Sequence, residues 1–141
     1  MKNKAPLSLM EQLMMLLVFA LAAALCLQVF AVSGRESRRI EARTGAVAMV
    51  QNTAEAVKAS KGDISQYPLL LGGTGDGESW EICYDETWSE TLPEQAGYHI
   101  RIIPQKTSLP TLGRATVSAF AETEEDALFS VTVSWQEVAH E

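Results

Sequence analysis

The chain has 141 residues, enough for one modest domain once about 30 of them are given to a long apolar segment near the start. Its formal net charge of -7 is the sum of three unequal parts. Residues 1–34 carry Lys2, Lys4 and Glu11 (+1), residues 35–61 carry six basic side chains against three glutamates (+3), and residues 62–141 carry three against fourteen acids (-11). A basic stalk under an acidic head is the wrong profile for a nucleic-acid binder, which needs its positive face on the folded domain, so no direct nucleic-acid binding is expected.

From Leu13 to Val32 the chain runs twenty residues with one strongly polar side chain, Gln28. A helix rising 1.5 Å per residue needs about that length to cross a hydrocarbon core of roughly 30 Å, so a single pass through a lipid bilayer is expected. Glu11 stands just upstream, among Leu7, Leu9 and Met10. A lone carboxylate deep in a membrane helix costs about 2.5–3.5 kcal/mol, less near the interface, so Glu11 either sits among headgroups or has a partner. A removable signal peptide is the competing reading: Lys2 and Lys4 give a positive start and Ala31-Val32-Ser33 a small-residue cleavage site. Twenty apolar residues exceed the usual core of such a peptide, and Leu25 stands where a lipoprotein signal needs a small residue before Cys26. Retention is therefore expected. Lys2 and Lys4 before the span and four arginines after it leave the positive-inside count undecided. Cys26 lies in the apolar run and Cys83 in the acidic half, and no structural bridge between them is expected.

The stretch 34–61 reads as a continuation of the helix. Ile40, Val47, Val50, Ala54 and Val57 share one face by spacing, and alanines keep helix propensity high. Gly62 is the expected stop, with Asp63 and Pro68 opposing resumption. Gly34 and Gly45 are the weak points, each costing about 1 kcal/mol relative to alanine. A helix from Leu7 to Lys61 is expected, near 80 Å long by its rise. Behind a short start at 1–6, its parts are 7–33, which crosses the membrane, and 34–61, amphipathic and continuing into the head.

After a loop at 62–79, four strands are expected within the remaining domain, 62–141: Ser79–Asp85, Tyr98–Gln105, Gly113–Glu122 and Leu128–Val138. In the last, Phe129, Val131, Val133 and Trp135 alternate with Ser130, Thr132, Ser134 and Gln136, the period of a sheet buried on one face. Ala115, Val117 and Ala119 alternate in the same way, and the acidic linker 123–127 suits a hairpin. Val133 and Trp135 are expected to be buried against Val50, Ala54 and Val57. A helix followed by strands implies an α+β fold, with an antiparallel sheet of about four strands laid on the second half of the helix.

This layout resembles the type IV pilin-like proteins, which include type IV pilins, type II secretion pseudopilins and competence pilins. In "LSLMEQL" the match places Leu7 as the first mature residue and Glu11 as the family's glutamate. Pro6 stands where the family carries glycine, and Leu7 where it carries phenylalanine. The resemblance implies cleavage between Pro6 and Leu7 by a prepilin peptidase, which also methylates the new amine. It implies that Glu11 then neutralises the amino terminus of a neighbouring subunit as helices stack. Other pilin-like subunits, a membrane assembly platform and its ATPase system are the implied partners. An N-terminus in the cytoplasm, a head outside it and a final place in an extracellular filament are the implied topology.

Enzyme readings fare less well. "GGTGDGESW" (Gly72–Trp80) lacks the Lys-Ser/Thr ending of a phosphate loop and is read as a flexible loop entering a strand. Asp76, Glu78, Glu81 and Asp85 are weak calcium candidates, since some pseudopilins bind calcium in their β-side loops. Their spacing matches no defined calcium loop, and a solvated acidic face is the favoured reading. His99 and His140 are single and far apart, and Trp80, Trp88 and Trp135 read as core or sheet-face residues. No catalytic residue, metal or cofactor is expected. The expected function is a non-enzymatic subunit of a pilus-like or pseudopilus filament. The competing class is a membrane-tethered extracytoplasmic β domain that binds a ligand or protein without polymerising, and a secreted binding domain ranks third.

Overall fold

The computed structural model describes residues 5–137; Lys2, Lys4, Val138 and His140 lie outside them. One helix, α1 (Ala5–Ala59), takes up the apolar run and the stalk without interruption. Pro6 falls in its first turn, where a missing N–H breaks no intrahelical bond. The helix stops on two consecutive left-handed residues, Lys61 (φ 52°) and Gly62 (φ 70°). The Lys61 N–H donates to the Lys58 carbonyl at 3.1 Å and the Gly62 N–H to that of Val57 at 2.9 Å, the paired bonds of a Schellman ending. The stop expected at Gly62 is thus shared with Lys61, which takes the first left-handed position.

The chain divides into two compact units, Met1–Ile40 and Glu41–Glu141. The described part of the first is helix alone. In the second, the α1 residues Ala46, Val50, Thr53, Ala54 and Val57 are buried along one stripe. Ile40, expected to open this face, is instead 60% exposed, and Val47 is only half-buried. Periodicity marks which side of a helix is apolar but not where its covering begins, and here full burial starts at Ala46.

Residues 62–79, expected as loop, hold more order. The Asp63 carboxylate accepts from the Ser65 N–H at 3.0 Å and caps a short 3-10 helix, Ile64–Gln66. A single turn, α2 (Tyr67–Leu70), follows with Pro68 at its start. Pro68 was expected to oppose a further helix, but at a first-turn position its fixed φ favours one. Tyr67 is buried and meets Trp80 edge-on, with ring centroids 5.7 Å apart.

The sheet has five strands in the order β1-β2-β3-β4-β5, each antiparallel to its neighbour. They are β1 (Thr74–Gly75), β2 (Trp80–Tyr84), β3 (Tyr98–Gln105), β4 (Leu112–Ala121) and β5 (Phe129–Gln136). Four match the expected strands within two residues. The fifth, β1, pairs Thr74 with Glu81 and Gly75 with Trp80 and is too short to leave a periodic signal. The register sets Ile82 opposite Ile100, Ile102 opposite Val117, and Val117 opposite Val131. All of these face the helix stripe in one apolar cluster.

Ile82, Ile100, Ile102 and Val117 are fully buried, and each such side chain contributes about 1.5–3 kcal/mol through burial. Ala115 and Ala119 fill the tighter places between them. Val133 and Trp135 do face this core, yet they are half-buried, against the expectation of full burial. The cause is position: β5 pairs on one side only, so its inward residues lack a neighbouring strand to cover them.

Candidate assembly surface on the N-terminal helix

In the first unit every described residue is exposed. The stretch is long and apolar enough to cross a membrane by length and composition, and none of it is buried. Leu13, Met14, Met15, Leu16, Leu17, Val18 and Phe19 follow one another with no polar face between them. A helix apolar on all sides has no single preferred partner surface; it needs an apolar surround, which lipid or other helices supply.

Glu11 heads this surround. A shallow groove along the helix is lined by Glu11 and Gln12 at its head and by Met14, Met15, Leu16, Val18, Phe19 and Ala22 below them. A second runs back over Leu7, Ser8 and Met10. The carboxylate therefore shares a face with methionine and leucine on both sides along the axis. It makes no ion pair with any described residue; the one such pair is Arg101–Glu81. The nearest described cation along the helix is Arg35, twenty-four residues on, or about 36 Å by helical rise. No described cationic side chain of the same helix can reach Glu11. Pro6 and Leu7 lie one turn before it within α1.

The acidic candidates in the head do not converge. Asp76 accepts from the backbone N–H groups of Glu78 and Ser79, each at 3.0 Å, and these bonds hold its carboxyl below the usual range. Glu81 pairs with Arg101 at 3.3 Å across β2 and β3. Asp85 accepts from the Thr87 hydroxyl at 2.7 Å and from the Thr87 and Ser89 N–H groups. The Thr87 hydroxyl is the leading cause of its lowered pKa, with the Ser89 N–H next. Among the described residues no three His, Cys, Asp or Glu side chains gather closely enough to hold a metal ion. Asp76 and Asp85 thus close their own turns, while Glu81 is taken up by the cross-strand pair.

The Asp85 turn has a further result. It carries Trp88 at a left-handed φ of 62° and lays its ring flat on Tyr98, with centroids 4.3 Å apart. The same indole lies against the helix at Gly45, so closely that a Cβ there would overlap it. Gly45 thus has a packing role that helix propensity alone conceals. Trp135 is seated similarly against Gly113 and Gly62. His99 stacks on Phe120 at 5.2 Å, on the outer sheet face beside Arg101. Cys26 is an exposed thiol of the apolar run, while burial raises the pKa of the half-buried Cys83 thiol.

No family model, curated protein or solved structure matches the chain.

Proposed function

We propose that this chain is a structural subunit that assembles through its hydrophobic N-terminal helix into a type IV pilus-like or type II secretion pseudopilus filament. The observation that carries the reading is Glu11, an exposed carboxylate in an apolar helix with no described cation of that helix within reach. A charge so placed is tolerated when a partner from another chain neutralises it, and a helix amine is the partner that the prepilin-like segment suggests. In this mechanism the span holds the subunit in the bilayer until an assembly platform and its ATPase system extract it. Contacts between helices then replace lipid, and Glu11 sets the axial register against the methylated amine of Leu7 in the next subunit. The packed helix-and-sheet head supports the reading as a unit that folds independently of assembly.

The head is proposed to lie outside the cytoplasm and the N-terminus inside it. Protease added to intact protoplasts should then remove the head after Gly62, and full protection there, with digestion only after lysis, would contradict that topology. Mass spectrometry of the membrane-extracted chain tests the charge mechanism. A chain beginning at a methylated Leu7 is the expected result. A chain beginning at Met1 removes the partner amine and overturns that mechanism.

A further inference from the structure

The geometry points to a collar of three arginines, Arg35, Arg38 and Arg39, that gathers anionic phospholipid headgroups where α1 leaves the bilayer on the head side. The inference rests on the proposed membrane placement of the apolar run, but not on filament assembly. All three side chains are exposed on the helix. At 3.6 residues per turn, Arg35 and Arg39 lie about 40° apart and Arg38 about 60° to the other side of Arg35, so the three share an arc of about 100°. Glu36 and Glu41 flank the arc, each about 60° beyond one edge, Glu36 on the Arg39 side and Glu41 on the Arg38 side, so neither lies within it.

Depth selects the ligand. Taking Val32 as the last residue in hydrocarbon, helical rise places Arg35 about 4.5 Å beyond it and Arg39 about 10 Å beyond. The headgroup layer on each face is about 5–7 Å thick, from total and hydrocarbon thicknesses of about 40–45 and 30 Å. Arg35 starts within that layer and Arg38 and Arg39 about 2–4 Å beyond it; helical side chains lean toward the N-terminus, so their guanidinium groups reach back toward the bilayer. Each presents a planar fork of donors suited to phosphate oxygens. Arg43, about 16 Å out by the same rise, is too far to take part and serves as an internal control.

Fluorescence quenching on the full chain in vesicles tests this. With Cys26→Ala, Cys83→Ala and Ser37→Cys, a bimane label at position 37 sits at collar depth but away from the arginine arc. Vesicles contain phosphatidylcholine with about one-third phosphatidylglycerol, and either lipid carries a headgroup spin label at equal mole fraction. The expected result is quenching about twofold or more stronger from the labelled anionic lipid. That ratio should fall to about one in roughly 1 M salt, where the Debye length is near 3 Å. It should be lost in Arg35→Gln/Arg38→Gln/Arg39→Gln and kept in Arg43→Gln. A ratio of one in the wild-type collar, its persistence in the triple variant or an equal loss in Arg43→Gln would overturn the inference. A label on Cys26 in the Cys83→Ala chain reports the span itself. If tail-labelled lipid fails to quench it, the membrane placement falls, and the collar with it. Strong quenching there without anionic preference at position 37 removes the collar alone.

Discussion

Residues 13–32 and 46–57 belong to one helix, yet the first stretch is bare and the second packed. The difference follows from how their apolar residues are arranged. In the second, Ala46, Val50, Ala54 and Val57 form a stripe beside Gln51, Glu55 and Lys58, so one sheet face covers it and water keeps the rest. In the first, apolar side chains go all the way round, and one sheet could never cover them. A stripe asks for a partner within the chain; an unbroken apolar cylinder asks for a different surround.

The comparison is tested most strongly by truncating one large aliphatic side chain to alanine on each side of it. Ile100→Ala, in the packed unit, should destabilise the head by about 2–5 kcal/mol, read from denaturant unfolding of the detergent-solubilised chain. Leu17→Ala, in the bare stretch, should change head stability by less than about 0.5 kcal/mol. Comparable losses would mean that the apolar run is part of the head's core. Gly45→Ala comes next. Helix propensity alone favours alanine by about 1 kcal/mol, but the Cβ must displace the Trp88 indole, and a net loss of about 1–2 kcal/mol is expected. A gain in thermal stability would show that Trp88 moves aside freely.

The edge strand supplies a finer grading. Val133→Ala should cost about 1 kcal/mol, below the cost of Val117→Ala in the fully covered β4, because β5 covers its inward residues only partly. Thr132→Ala, facing outward, should cost under about 0.5 kcal/mol. Equal effects at 132 and 133 would mean that the register is misread. The smallest effect concerns pH. The folded pKa of Asp85 is depressed, so its contribution is complete above the unfolded value and is lost as pH falls through the lower folded value. Carboxyl NMR should give a midpoint below 3.8, and Asp85→Asn should remove that part of the acid sensitivity of the head. A midpoint at or above 3.8 would deny the turn its hydrogen bonds.

Much of this architecture was legible in residue order because the signals were periodic. The helix, β2 to β5 and the alternation in Phe129–Gln136 all repeat over enough residues to be read. What escaped depends on partners distant in sequence or on position within a turn. Gly45 looked like a flaw until Trp88, forty-three residues on, occupied the space that it leaves. Pro68 looked like a barrier because its effect reverses between the interior and the start of a helix. Ile40 continued the apolar period beyond the part of the helix that is covered. The calcium candidates illustrate the reverse case: a plausible cluster in sequence becomes separate turn caps and a cross-strand ion pair once the strands are in register. Glu11 could be singled out from sequence, but its proposed partner belongs to another chain.

The most direct test therefore places the chemistry on the bare helix. Cys26 lies one turn beyond Ala22 on the stripe that Glu11 heads. The Glu11–Leu7 stagger offsets Cys26 of neighbouring chains by about 6 Å along the axis, so in the Cys83→Ala background a bifunctional thiol reagent spanning about 10 Å should link them through Cys26, and Glu11→Ala should abolish or shift that linkage while the chain stays inserted and its head folded. Identical cross-linking with and without the Glu11 carboxylate, or none in the parent chain, would contradict assembly through this helix.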